Sequence, residues 1–248
     1  MSKVIYGVNA VLEALNSHPE LIEEIWLSKI NLSGKKFQIL EKAKKLEIPL
    51  KIISKPNLKP PKVPPEANTQ GVVAYISEFS YAELEDIVKN WEDKKETPLV
   101  VILDQIEDPQ NVGSIIRSAD AGGVHGIVIP KLRSCDINET VIKVSSGSAF
   151  NIPIAKVNNL KYAISFFKEK NLWIVGLTHK TDLSIYELDL KQPLAIILGN
   201  EGRGIRKTIL EKCDFLAKIP MRGKIESLNV SVAGAIAIFE ILRQRYYI

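Results

Sequence analysis

The chain has few of the residues that redox and metal chemistry need. Its 248 residues include two cysteines, Cys135 and Cys213, and three histidines, His18, His125 and His179, with no CxxC. That is too few ligands, too scattered, for a structural zinc site, so no metal is expected. Two thiols without a flanking motif read as reduced, small core-side residues and not as a disulfide or a nucleophile. No apolar run approaches the roughly 18 residues of a membrane-spanning helix. The N-terminal apolar pattern is broken by Asn9 and Glu13 and has no small-residue cleavage site, which argues against a signal peptide and for a cytoplasmic protein. Compositional extremes are missing too. With 46% hydrophobic and 25% charged residues, disordered, collagen-like and disulfide-scaffold classes are excluded.

Arginine is missing from the first 116 positions. Residues 1–78 carry 11 Lys and 8 acids, residues 79–97 carry 3 Lys and 6 acids, and all 7 Arg fall within 98–248. The net charge of +4 is compatible with a nucleic-acid partner without requiring one. In a Lys-rich chain, arginine persisting in one half suggests a need for its planar fork, as on phosphate; chance in a biased genome is the alternative.

Two α/β textures follow one another. GVNAVLEAL has helical spacing, IEEIWLS reads as a strand, GKKFQILEKAKKLEI as an amphipathic helix, and PLKIIS and QGVVAYIS as strands. Five prolines between Pro56 and Pro65 make an extended connection. Residues 1–78 are thus a small α/β module, and 79–97 hold an acidic helix or tether. From 98 to 248, apolar β-branched runs recur at 99–106, 126–130, 172–178, 194–200 and 214–221, the last ending a strand at Pro220. They lack alternation, as expected of strands buried on both faces of a parallel sheet, with helices between them. In such sheets ligands bind beyond the carboxyl ends of the strands.

Three polar segments follow those ends. In DQIEDPQNVGSIIRSADAGG a helix starting near Asn111 buries Val112, Ile115, Ile116 and Ala119 and points Arg117 away from them. On spacing alone, Arg117 is equally a solvated arginine paired with Asp120. In LAIILGNEGRGI the glycines at 199, 202 and 204 form neither GxGxxG nor a phosphate loop, but a tight turn displaying Glu201 and Arg203. In IPMRGKIESLNVSVAGAIAIFEIL a helix begins behind Ser227, Asn229 and Ser231, all good caps. Its Ala233, Gly234, Ala235 and Ala237 imply a closely packed neighbour.

Together NxxxxxR, GNEGRG and IPMxGxxxSLNVSVA resemble the three signature motifs of the SpoU-type (TrmH) 2′-O-methyltransferases of the SPOUT superfamily. GVNAVLEAL and NTQGVVAYI resemble the N-terminal extension of the subgroup acting on a guanosine of bacterial 23S ribosomal RNA. The resemblance implies an L30e-like, RNA-substrate-binding module over 1–78, joined through 79–97 to a trefoil-knotted α/β domain over 98–248. It implies a homodimer and S-adenosyl-L-methionine as cofactor, with RNA and not DNA as partner. By motif position it makes Asn111, Arg117, Glu201, Ser227 and Asn229 catalytic. Cofactor contacts would come from Leu177, Thr178, Gly199, Ile219, Pro220, Met221 and Leu228.

The residue types suit that reaction. A ribose 2′-hydroxyl must lose its proton as it attacks, and no histidine lies in the motifs. Arg117 is either the base, against an arginine pKa normally above about 12, or a clamp on the neighbouring phosphate. A transfer-RNA ribose methyltransferase of the same fold and a non-catalytic RNA-binding protein remain as alternatives. The terminal RQRYYI, rich in aromatic and arginine side chains, fits a subunit interface.

Overall fold

The computed structural model describes residues 3–54, 60–225 and 227–247; Pro56 and Ile248 lie outside the described residues. The chain divides into two compact units, one formed by residues 1–80 and 136–151, the other by 81–135 and 152–248.

In the first unit, β1 (Lys3–Tyr6), α1 (Val8–Ser17), β2 (Ile22–Ser28), α2 (Lys35–Lys45), β3 (Leu50–Ile53) and β4 (Val72–Ile76) follow in order. The sheet order is β1-β4-β2-β3, with β4 antiparallel to both β1 and β2, and β3 parallel to β2. Alternation along β1 sends Ile5 to one face, and Val4 and Tyr6 to the other, where they pack with Val63 and Val73. The helices bury Val11, Ala14 and Leu15 from α1, and Ile39, Leu40 and Ala43 from α2.

The second unit opens with α3 (Leu84–Lys94), β5 (Leu99–Asp104), α4 (Pro109–Ala121) and β6 (Gly126–Pro130). The acidic segment expected as a helix or tether is helix α3. It starts at a capping box between Glu83 and Asp86, and its Leu84, Ile87, Val88 and Trp91 enter the second unit's core. The chain then crosses to the first unit as α5 (Glu139–Val144), capped by Asn138, whose Oδ1 accepts from the amides of Thr140 and Val141 at 3.0 Å each. It returns through Gly147 (φ 92°), where an added Cβ would lie 2.3 Å from Cβ of Glu13, so only glycine lets this turn approach α1.

Back in the second unit come β7 (Ile154–Val157), α6 (Leu160–Glu169), β8 (Trp173–Leu177), β9 (Leu194–Gly199), α7 (Lys207–Leu210), β10 (Phe215–Ala217) and α8 (Val230–Tyr246). Six strands form one all-parallel sheet in the order β10-β8-β9-β5-β6-β7. β5 and β6 are buried at every position, which explains the unbroken apolar runs. The last strand stops at Ala217 and not at Pro220. Ala217 is opposite Leu177, the end of β8; beyond it Lys218 exchanges hydrogen bonds with Leu183 and Ile185 of a loop. β1 and β7, four residues each, carry too little periodicity to be read from sequence.

Candidate functional site

The strand order reverses between β5 and β9. From β5 the chain runs outward through β6 and β7, and the later strands occupy the other side of β5. Such a switch leaves a crevice outside the carboxyl ends of the two central strands. Asp104, the last residue of β5, is opposite Gly199, the last of β9. The loops that carry the first two motifs therefore leave the sheet side by side.

Asp108 caps α4. Its Oδ1 accepts from the amide of Gln110 at 2.9 Å, and Pro109 occupies the first helical position, where no amide is needed. This sets Asn111, expected at the helix start, in the first turn. Its Nδ2 donates to Asp108 Oδ2 (3.1 Å) and to Glu201 Oε1 from the glycine turn. Its Oδ1 accepts from Asn229 Nδ2 at 2.9 Å. Asn229 in turn caps α8, its Oδ1 accepting from the amides of Ser231 (2.9 Å) and Val232 (3.4 Å). Capping and site-building are thus done by one side chain. Residues 90 and 118 positions from Asn111 meet on one amide.

Arg117 and Ser227 are exposed and outside this hydrogen-bonded cluster. Arg117 lies six residues beyond Asn111, about 9 Å along α4, on the face away from the buried Val112, Ile115, Ile116 and Ala119. Leu177 ends β8 and Thr178 follows it, Gly199 ends β9, and Ile219, Pro220 and Met221 follow β10. These three strands are neighbours, so six of the seven expected cofactor contacts share one stretch of sheet end. Leu177, Thr178, Ile219 and Leu228 are half-buried; Pro220 and Met221 are exposed. Leu177, Ile219, Pro220 and Met221 give that end an apolar, partly open wall, the kind of lining the adenosyl part of a sulfonium cofactor would need.

Sequence reasoning missed the support beneath Glu201. Asp104 is fully buried, and accepts from the Arg206 amide (2.9 Å) and Nε (2.8 Å), with the Arg206 terminal nitrogen 2.7 Å away. Asn200 Nδ2 donates to the Gln105 carbonyl, while its Oδ1 accepts from the amides of Gly202 and Arg203. A Cβ on Gly199 would lie 2.3 Å from backbone atoms of Gly204 and Ile205, so the turn folds back onto the strand end only with glycine there. An aspartate ending an otherwise apolar strand was the available signal, since a buried carboxylate needs a partner.

The two cysteines are not joined to each other in a disulfide. Burial pushes the Cys213 thiol up to about 11, leaving it a poor nucleophile. Among the described residues no group of His, Cys, Asp and Glu gathers to hold a metal ion, and no helix is long and apolar enough to cross a membrane.

Comparison with known proteins gives a consistent pattern. A family model described as SpoU rRNA Methylase matches residues 98–239, and one described as RNA 2′-O ribose methyltransferase substrate binding matches 4–82. The chain is 41% identical to the putative TrmH family tRNA/rRNA methyltransferase YacO of Bacillus subtilis, over 97% of this chain and 95% of that one. It is 38% identical to the 23S rRNA (guanosine-2′-O-)-methyltransferase RlmB of Pseudomonas aeruginosa, over 97% and 96%. The crystal structure of the SpoU methyltransferase AviRb from Streptomyces viridochromogenes with AdoMet superposes with a TM-score of 0.81 at 25% identity, covering 98% of this chain and 90% of that one.

Proposed function

Because the chain belongs to the SpoU rRNA methylase family, we propose that it is an S-adenosylmethionine-dependent RNA ribose 2′-O-methyltransferase acting on a guanosine of 23S ribosomal RNA. The observation that carries this is the hydrogen-bonded meeting of Asn111, Glu201 and Asn229 at the β5/β9 switch point, one residue from each motif. When bound, S-adenosylmethionine supplies a methyl group on a sulfonium, which the 2′-oxygen takes as its proton leaves. Leu177, Thr178, Gly199, Ile219, Pro220, Met221 and Leu228 would hold that cofactor. Asn111 and Asn229 fix the Glu201 carboxylate and the start of α8. Arg117, exposed on α4, clamps the phosphate beside the target ribose with its planar fork of donors and eases loss of the 2′ proton electrostatically. Ser227, exposed before α8, lines the ribose side.

In this reading residues 1–78 are an L30e-like RNA-binding module, 79–97 join it to the catalytic part, and 98–248 carry a trefoil knot. The match of 4–82 to a substrate-binding family supports the first assignment. The insertion of β9 between β5 and the earlier strand β8 supports the last. A homodimer is supported by exposed Val232, Phe239, Tyr246 and Tyr247 on and after α8. A cytoplasmic location follows from the substrate.

Transfer of tritiated methyl from S-adenosylmethionine to ribosomal and to transfer RNA tests the reading. Label in 23S RNA alone is the expected result; label only in transfer RNA, or in neither, overturns it. Arg117→Lys should lower turnover at least about tenfold while leaving the melting temperature nearly unchanged, because the side chain is exposed.

A further inference from the structure

A cavity of about 250 Å³ opens in the first unit, lined by residues of 1–80 and by Lys143 and Ser146 of the 136–151 excursion. It takes one small group, being just below the range typical of small-molecule sites. Its polar lining has a definite sense. Gln70 Oε1 accepts from the amide of Val8, the first residue of α1, at 2.9 Å. Asn68 Oδ1 accepts from the Gln70 amide at 3.1 Å. Asn9 Oδ1 accepts from Lys35 Nζ at 2.8 Å. Each partner is a donor, which turns that amide's oxygen toward it and leaves its NH₂ for an acceptor.

The lining residues, Asn9, Asn68, Gln70 and Lys143 among them exposed, therefore offer three NH₂ groups with the Ser146 hydroxyl and the Lys143 ammonium. Lys143 Nζ sits 4.3 Å from the centroid of the buried Tyr6 ring, a cation–π contact that holds it in place. These side chains offer more donors than acceptors. The occupant is rich in acceptors. Glu139 and Glu66 act on Tyr6 electrostatically, raising its pKa after burial has done most, so the surroundings are unfavourable to a bare phosphate. A neutral acceptor edge fits better. Bases with keto oxygens offer that, guanine through O6 and N7 and uracil through O4, whereas adenine and cytosine present an amino donor. RNA is read by sequence chiefly where unpaired bases are splayed out.

We propose that this cavity is a subsite for one unpaired keto base, guanine or uracil, of the RNA substrate. This rests on the reading of the chain as an RNA-modifying enzyme and adds a base contact to it, distinct from the nucleotide that is methylated. Asn9, Asn68 and Gln70 read the keto edge, and Lys143 supports it.

The test uses the full chain and labelled stem-loop RNAs identical except for G, U, A or C at one loop position, with affinity measured by anisotropy at fixed salt. The native protein should bind the G and U loops about tenfold tighter than the A and C loops. Asn68→Asp with Gln70→Glu keeps both internal acceptor oxygens and replaces two NH₂ donors by oxygens; it should abolish the keto preference. Gln38→Glu, on the exposed face of α2, controls for added charge and should keep it. Lys143→Gln, which disturbs no internal bond of the three amides, should shrink the preference should the double variant fold poorly. Equal binding of all four loops by the native protein overturns the subsite, and so does an unchanged preference in folded Asn68→Asp/Gln70→Glu or Lys143→Gln. Methyl transfer by those same preparations is scored separately. Transfer that persists without a base preference sinks the subsite alone; a base preference without transfer sinks the proposed reaction alone.

Discussion

At Asn229 the side-chain oxygen serves α8 and the nitrogen serves Asn111. The two uses can be separated. Asn229→Asp keeps the cap, since a carboxylate suits a helix N-terminus, but loses the donor to Asn111. It should melt close to the native protein and lose most methyl transfer. Asn229→Ala loses both and should also be less stable, by about 0.5–2 kcal/mol. Calorimetry beside an activity assay checks the pair; equal activity in Asn229→Asp would show the site contact to be idle. His125 is the other single residue with a readable consequence. It is buried, its Nδ1 accepting from the Leu99 amide (3.1 Å) and its Nε2 3.0 Å from Glu96. Burial, opposed by the hydrogen bond that Nε2 donates to Glu96, holds its pKa below the ordinary 6.5. The unfolded chain then binds the proton more readily, so this stability is complete above about pH 6.5 and is lost as the pH falls below it. Melting temperature should drop from about pH 7.5 to about pH 5.5, and the drop should be shallower in His125→Asn. An identical slope in both proteins would place the sensitivity elsewhere.

Between elements, the Asp104–Arg206 pair fixes how the glycine turn leaves β9. Removing the Arg206 side chain leaves a fully buried carboxylate with its charge unpaired and only the backbone amide of residue 206 still donating, whose cost is about 3 kcal/mol, the low end of the range because that amide remains and the Arg206 side chain is 41% exposed. Arg206→Ala should therefore unfold at much lower denaturant, while Asp104→Asn, which still accepts from the Arg206 amide, should be milder. Urea titration of both variants measures this, and the reverse order would refute the account. Small residues let α8 approach both α4 and the sheet. A Cβ on Gly122, at the end of α4, would lie 2.3 Å from Ile238 of α8, and one on Gly234 of α8 would lie 2.7 Å from Leu198 of β9. That closeness was legible, since the Ala and Gly run after Asn229 announces it. The central strands were legible for the same kind of reason, because burial on both faces writes continuous apolar runs. Asp104 and Arg206 were not, being 102 residues apart and each unremarkable in its own stretch. Asn111, Glu201 and Asn229 stood out through family motifs; their spacing alone left ordinary caps and turns as equal explanations.

On the scale of the whole chain, the excursion 136–151 is what no local pattern could announce. It sits between β6 and β7 in sequence, yet buries Val141, Ile142, Ala149 and Phe150 in the first unit. Deleting residues 1–80 alone should leave those side chains uncovered and the product prone to aggregate. Deleting 1–80 and replacing 136–151 by a short Gly/Ser linker should give a monodisperse protein that still binds S-adenosylmethionine. Size-exclusion chromatography and calorimetry decide; a well-behaved simple truncation would show that the excursion needs no partner.

The meeting of Asn111, Glu201 and Asn229 has a meaning in time. No two of them are neighbours along the chain, and the third is 118 residues from the first. Helices and adjacent strands form early from local contacts, while contacts across such spans wait for the intervening chain to be ordered. Until the glycine turn has folded onto the end of β9 and α8 has docked on α4, Asn111 has neither partner. On the proposed reading of these three residues, a half-folded copy holds no reactive arrangement and cannot modify RNA at random while it folds. Competence would then arrive with the last contacts made, and coincide with completion of folding.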